Sequence, residues 1–519
     1  MIEPQVLNQV KGVLAKLSTT FTFVVERNLN DEKTTSYCNF VEDVASCSKL
    51  ITVQYREGRN FKFSIARNGK DTGISFSGIP NGHEFTSLLL ALLNGDGQGR
   101  NLPDAALTRR IKALQGDMQL KTYVSLTCTN CPDVVQALNV MALLNPAISN
   151  ETVDGALHQD EIEKLNIQAV PSVYINGDLL HVGRGTLGEL LDEIEEHMGV
   201  ASQAPGTANQ HAADLIVLGA GPAGVAAAIY AARKGQNVAL VAQRIGGQVN
   251  DTTGIENVIS VAKTTGSQLA ADLATHLAEY NIAVFNNRRV AHVDLTGKLK
   301  RVETRGGETI LAPKVIIATG AGWRRLGLPD EDKYIGHGIH FCPHCDGPFY
   351  KGKNVAVIGG GNSGAEAAID LAGTCKHVTL VEFSDKLKAD DVLQQKLQNM
   401  PNVDIITHCQ TIGLTGDGSK LTGIDVRDLK SGNEQHMALD GVFVQIGLKP
   451  NSDLFKGKIE MTPHGEIVVD DRNHTSMQGV YAAGDVTTTP FKQIMIAMGE
   501  GAKAALSAFE DSLYQTQDE

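Results

Sequence analysis

Four cysteines in two close pairs can do redox chemistry: Cys128-Thr129-Asn130-Cys131 and Cys342-Pro343-His344-Cys345. A Cys-x-x-Cys at a helix start places its sulfurs near uncompensated backbone N–H groups, which favour the thiolate that attacks a disulfide. Two such pairs in one chain can pass electrons in series. Cys128, at the head of the first pair, is expected to be the more exposed sulfur. The other four cysteines, Cys38, Cys47, Cys375 and Cys409, have no close partner; Cys375 and Cys409 are expected to be small buried apolar residues. Eight cysteines in 519 residues do not make a secreted disulfide framework.

The elements that must hold the first pair are legible around it. Lys121 to Leu126 reads as a strand, and a helix continues from the cysteines through Leu138. Further on, Ala169-Val170-Pro171-Ser172-Val173 matches the strand that carries a cis-proline beside the cysteines in thioredoxin-like folds, so Pro171 is expected to be cis. Residues 111–198 therefore resemble a redox-active thioredoxin-like unit. Residues 1–110 alternate strand and helix patterns and resemble a second, degenerate unit with a structural role. Glu84 opens a helix there and is expected to serve its dipole, although a carboxylate near Cys128 can influence exchange. Residues 199–211 are small and polar and read as a flexible linker with an r.m.s. span of roughly 20 Å.

Two phosphate-cradling loops follow. Asp214 to Leu218 is an apolar strand leading into Gly219-Ala220-Gly221-Pro222-Ala223-Gly224 and an alanine-rich helix. Asn354 to Ile358 leads likewise into Gly359-Gly360-Gly361-Asn362-Ser363-Gly364. In each, the first glycine permits the turn, the second lets backbone N–H groups reach a pyrophosphate, and the third allows close helix–strand packing. Glu382 ends the strand after the second loop, where a carboxylate accepts from ribose hydroxyls and repels a 2′-phosphate, which favours NADH. The matching position after the first loop is Gln243, a neutral amide.

Size and charge set bounds. A chain of 519 residues divides into several domains, and its net charge of −13 argues against nucleic acid or an anionic membrane as partner. The densest apolar run, Leu88 to Leu93, is too short to span a bilayer, and the start at Met1 lacks a signal-peptide pattern, so a cytoplasmic location is expected.

Over residues 212–519 the order of the glycine loops, Gly246-Gly247-Gln248, Ala318-Thr319-Gly320, Cys-x-x-Cys-Asp and Thr475 to Asp485 resembles bacterial thioredoxin reductases. The resemblance implies an α/β architecture of two Rossmann-like domains: FAD binding in residues 212–326 and 448–519, with an NAD domain carrying the second disulfide, 327–447, inserted between them. It implies FAD contacts from Gly219, Gly221, Pro222, Ala223, Gly224, Gln243, Gly247, Gln248, Asn257, Thr319, Gly320, Gly484, Asp485 and Gln493. NADH contacts fall to Gly359, Gly361, Asn362, Ser363, Gly364 and Glu382. It further implies that Cys345 faces the flavin, that Cys342 is the interchange thiol, and that Asp346 exchanges a proton with the departing thiolate. His344 is expected to tune the pair, and Met495 and Met498 to fill the core.

With the tandem thioredoxin-like head, the whole chain resembles the AhpF family, the flavoprotein reductase subunits of bacterial alkyl hydroperoxide reductase. That implies electron flow from NADH to FAD, to Cys342–Cys345, to Cys128–Cys131, and finally to a two-cysteine peroxiredoxin. Cys128 would attack the partner disulfide and Cys131 would resolve it, in a chain that forms homodimers. A general reductase for thioredoxin- or glutaredoxin-like partners shares nearly every motif, and a hydrogen peroxide-forming NADH oxidase needs only the flavin. A four-thiolate zinc site conflicts with the separation of the pairs; no metal is expected.

Overall fold

The computed structural model describes residues 2–27, 33–58, 61–99, 102–126, 128, 131–167, 169–199, 209–251, 255, 258–329, 331–335, 337–341, 343–417 and 420–515. The chain forms two compact units, Met1–Val200 with Arg325–Gly447, and Ala201–Arg324 with Leu448–Glu519.

The first unit begins with one eight-stranded sheet in which a single connectivity occurs twice. Phe21–Arg27 pairs in parallel with Ile51–Glu57 and antiparallel with Lys62–Arg67, which pairs antiparallel with Lys70–Ser77. Met118–Val124 repeats this with Ile148–Asp154, Ser172–Ile175 and Asp178–Val182. A parallel pairing of Lys70–Ser77 with Ile148–Asp154 joins the halves, so two thioredoxin-like units share a sheet. Alternation sets the faces: Phe21, Phe23 and Val25 are buried, and the residues between them are only partly covered. The helix Glu84–Gly95, last in the first repeat, packs on Cys131–Leu144 of the second.

The same unit holds a parallel sheet ordered Ile339–His340, Gly441–Val444, Asn354–Ile358, His377–Val381, Val403–Ile406. In the second unit, Ile282–Phe285, Val238–Val241, Leu215–Leu218, Lys314–Ile317 and Val480–Ala482 form another parallel sheet. Strands such as Leu215–Leu218 are buried throughout, as expected of sheets covered on both faces. The segments where the chain leaves this unit and returns, Ala321–Trp323 and Leu448–Pro450, pair antiparallel.

The long helix Ile494–Gln515 lies along Pro222–Arg233. Ala497, Ala504, Ala505 and Ala508 face the core and Met498 packs against it, but Met495 is 38% exposed. The expectation that Met495 fills the core is thus corrected: one residue after Ile494 turns it about 100° off the buried stripe. No helix among the described residues is long and apolar enough to cross a membrane.

Candidate active site

The first cysteine pair sits where strand Met118–Val124 gives way to helix Cys131–Leu144. The Cys131 N–H donates to Cys128 Sγ at 3.2 Å, so the helix start supports a sulfur anion through a direct bond. The Val170–Pro171 peptide is cis, as its sequence context suggests, and Cys128 Sγ donates to the Val170 carbonyl at 3.8 Å. Both cysteines are free thiols. Cys128 is 1% exposed against 0% for Cys131, so the first sulfur, expected to be the more exposed, is buried almost as fully as the second: the proline segment lies over it.

Two ionisable residues stand beside this pair: Glu84, expected mainly to serve its helix dipole but able to influence Cys128, and Arg184, which no motif points to. Glu84 is 1% exposed, and among the described residues neither carboxylate oxygen has a hydrogen-bond partner. Burial pushes it up to about 7, with Asp133 adding and the nearby Ser87 hydroxyl offsetting part. Burial likewise pushes the Cys131 thiol well up, followed by Cys128 and then the Glu84 charge. The turn at Gly82 to Glu84 lies against the cysteine loop, with His83 N–H donating to Leu126 O at 3.2 Å. A Cβ on Gly82 would stand 2.5 Å from that oxygen. Arg184 lies 3.5 Å from Asp133 and feels the Cys128 sulfur; burial lowers its pKa while both anions oppose the shift. A neutralisable carboxylic acid on one side and a cation on the other suit thiol–disulfide exchange.

In the second unit three stretches converge. Gly219 has φ +102°, and a Cβ there would meet the Ala318 carbonyl at 2.2 Å; on Gly224 it would meet the Gly219 carbonyl at 1.8 Å. Gly246 N–H bonds Ala220 O at 2.8 Å, which brings Gly247 to within 3.1 Å, measured from an added Cβ, of the Gly221 Cα. Gly484, at φ +78°, approaches Ala223. Helix Pro222–Arg233 starts with no side-chain cap, and a Cβ on Gly221 would find only one oxygen, 4.0 Å away. Free N–H groups facing open space fit the pyrophosphate of FAD.

The remaining expected contacts differ in what they show. Gln243 is exposed at the end of Val238–Val241, Gln248 is partly exposed, and Gln493 is exposed just before the long helix. Thr319 donates its hydroxyl to Asn451 O at 2.7 Å while Asn451 Nδ2 donates back to Thr319 O at 2.9 Å, so Thr319 braces the loop preceding Gly320. Burial raises Asp485, with Lys492 opposing. Asn257 lies outside the described residues.

The second glycine loop repeats the geometry. Gly359 has φ +116°, a Cβ on Gly364 would meet Gly359 O at 1.8 Å, and nothing lies within 4 Å of one on Gly361. Helix Asn362–Ala372 starts uncapped with Ser363 exposed, which fits the pyrophosphate of NADH. Glu382 is buried and accepts from Gly360 N–H at 2.6 Å and Ser384 N–H at 2.8 Å. Burial alone would raise it, but those bonds outweigh burial and hold it low, hence ionised. Asn362 exchanges two hydrogen bonds with Asp390, at 3.0 and 2.8 Å, and so ties down the loop beside the cradle.

Cys342 lies outside the described residues. Cys345 belongs to the short helix Pro343–Asp346. Asp346 is buried, with Oδ2 3.1 Å from His340 Nδ1. Cys375 and Cys409 are buried, as expected.

Two dinucleotide folds and a thioredoxin-like dithiol define a flavin-dependent pyridine nucleotide-disulfide oxidoreductase. The pyridine nucleotide-disulphide oxidoreductase family model matches residues 213–501, and a thioredoxin domain model matches residues 118–196. The chain belongs to the AhpF family of alkyl hydroperoxide reductase flavoproteins. It is 48% identical over 515 residues to the AhpF protein of Pseudomonas aeruginosa, covering 98% of both chains. It is 47% identical over 481 residues to a Bacillus subtilis protein named NADH dehydrogenase, covering 92% of this chain and 93% of that one. Among solved structures, thioredoxin reductase of T. acidophilum superposes with a TM-score of 0.53 at 39% identity, over 58% of this chain and 99% of that one. This chain is accordingly an NADH-dependent FAD disulfide oxidoreductase.

Proposed function

We propose that this chain regenerates an oxidised two-cysteine peroxiredoxin through Cys342–Cys345 and then Cys128–Cys131. The overall exchange balances as NADH, a proton and a disulfide giving NAD⁺ and two thiols. When bound, FAD accepts hydride from NADH and returns two electrons to a disulfide. The chain's residues do the rest: the loops from Gly219 and Gly359 hold the two pyrophosphates, and ionised Glu382 disfavours a 2′-phosphate. Asp346 exchanges a proton with the thiolate released next to it in sequence.

In the head, Cys128 attacks the partner disulfide, and Cys131 then displaces the partner thiolate and closes the Cys128–Cys131 disulfide. Glu84 takes the proton that Cys131 must lose, since a carboxyl near 7 is poised for transfer at neutral pH. The observation that carries this reading is the Cys128–Cys131 dithiol flanked by buried Glu84 and by Arg184. A homodimer in the cytoplasm is part of the same reading.

The test is anaerobic NADH reduction of the purified chain, followed through its visible spectrum before and after adding oxidised two-cysteine peroxiredoxin. Bleaching followed by recovery in wild type, with no recovery in Cys128→Ser, is the expected result. Recovery in the variant would sink the proposal. The relative named NADH dehydrogenase favours a second reading, in which O₂ accepts the two electrons and two protons to give hydrogen peroxide. Oxygen consumption indifferent to Cys128→Ser identifies that activity.

A further inference from the structure

Asp346 is placed next to Cys345 by the sequence, and the groups that hold its carboxylate come from the two ends of the same stretch. Strand Ile339–His340 delivers His340, and the turn Gly347–Tyr350 delivers Tyr350. His340 is 2% exposed and Tyr350 0%. Nδ1 of His340 lies 3.1 Å from Asp346 Oδ2, and Nε2 lies 2.7 Å from the Tyr350 hydroxyl. The imidazole also packs against both aromatic neighbours, with centroids 5.1 Å from Tyr350 and 5.3 Å from Phe443. Gly441 makes room, since a Cβ there would meet the Tyr350 ring at 2.3 Å.

We propose that His340 is a positioning residue for Asp346, with Tyr350 fixing its tautomer, so that the carboxylate is held in one orientation for proton exchange. This rests on the reading of Asp346 as the proton-exchanging group. Burial, then the Asp346 charge, keeps the Tyr350 hydroxyl protonated well beyond its usual range. With its proton in place it can donate to Nε2, and because a carboxylate only accepts, the neutral tautomer that satisfies both contacts carries the ring proton on Nδ1, directed at Asp346. A donor on a buried carboxylate fixes its rotamer.

The other titratable or charged groups around the trio are few. Burial lowers His337, a backbone hydrogen bond with Asn166 opposes it, and His340 adds a smaller push downward. Asp440 and Cys375 act on Tyr350, and Lys353 lies 5.4 Å from the Tyr350 ring centroid. None of these supplies a replacement donor to Asp346 Oδ2 among the described residues.

The test uses the full-length holoenzyme and follows NADH-driven reduction of oxidised peroxiredoxin, with bleaching of the flavin by NADH recorded separately. In His340→Leu the rate of peroxiredoxin reduction should fall by about tenfold, because the lost donor no longer orients the carboxylate. His340→Asn, whose amide can still donate, should stay near wild type, and bleaching should be unchanged in both. A wild-type rate in His340→Leu, with Asp346→Asn slowed at least tenfold, overturns the role of His340 alone. A wild-type rate in Asp346→Asn overturns the reading of Asp346 and this inference with it. If His340→Leu does not fold, Tyr350→Phe removes a single oxygen and carries the same test: a smaller fall in rate supports the proposal and none overturns it.

Discussion

Glu84 shows how a single side chain in an otherwise degenerate repeat can enter the chemistry of its neighbour. Its carboxyl is raised from the usual 4.5 to about 7 chiefly by burial, beside a Cys131 thiol that is itself pushed up. Glu84→Gln keeps the shape and removes the titration. It should slow peroxiredoxin reduction by roughly ten- to a hundredfold while leaving NADH bleaching of the flavin unchanged, as stopped-flow absorbance would show. Stability supplies an independent check. The folded protein holds a proton on Glu84 that the unfolded chain releases near 4.5, so this contribution is complete below that pH and is lost as pH rises through about 7. The full shift is worth on the order of 3 kcal/mol. Glu84→Gln should therefore gain stability relative to wild type between about pH 5 and pH 8 in urea unfolding; a pH-independent difference would contradict the burial argument. The spacing of Cys128 and Cys131 and the context of Pro171 were legible in the sequence because each is a local pattern. Arg184 was not, because it lies over fifty residues from Cys131 in sequence and reaches the pair only through the fold; Glu84 was legible only as a helix-start carboxylate that could influence Cys128, and the contact of His340 with Asp346, six residues on, is a matter of side-chain geometry that spacing does not announce.

At the scale of elements, the glycines separate the two nucleotide sites experimentally. Gly224 and Gly364 occupy equivalent places, each with a neighbouring glycine carbonyl 1.8 Å from where a Cβ would stand, and that backbone cannot step aside. Overpacking of this kind costs about 1–3 kcal/mol, or roughly five- to 150-fold in a binding constant. Gly224→Ala should purify depleted of flavin, read from the visible spectrum. Gly364→Ala should keep its flavin and weaken NADH binding by a similar factor, measured by calorimetry. A Gly364→Ala protein that loses flavin instead would break the assignment of one site to each loop. The strand–glycine–helix units were readable because a buried parallel strand is a continuous apolar run ending at glycine. The doubled head was readable only as a resemblance, since its common sheet depends on a pairing between Lys70–Ser77 and Ile148–Asp154 that no local signal announces. The face of the final helix was misjudged at Met495 because side-chain chemistry suits that residue to a core, whereas the buried stripe is set by small residues that let Gly501 approach Ala223.

For the whole molecule, the consequence of two dithiols in one chain is that chemistry upstream of a block survives it. In the proposed relay electrons enter at a nucleotide site whose carboxylate is fixed by backbone N–H groups and leave at a sulfur held by a helix start. Cys128→Ser replaces that sulfur with an oxygen whose proton is far harder to remove, so the last exchange loses its nucleophile. Peroxiredoxin reduction should fall at least about a hundredfold, while flavin bleaching by NADH keeps its wild-type rate. A small soluble disulfide accepted directly from Cys342–Cys345 should still be turned over by the variant, and not by Cys342→Ser. The small, polar composition of residues 199–211 predicts a tether that holds the head at an effective concentration on the order of millimolar, so transfer between the two dithiols of one chain should not depend on dilution. Wild-type turnover per molecule should then stay constant across micromolar dilution at saturating peroxiredoxin. A turnover number that falls in proportion to protein concentration would mean that the second dithiol serves the head of another molecule.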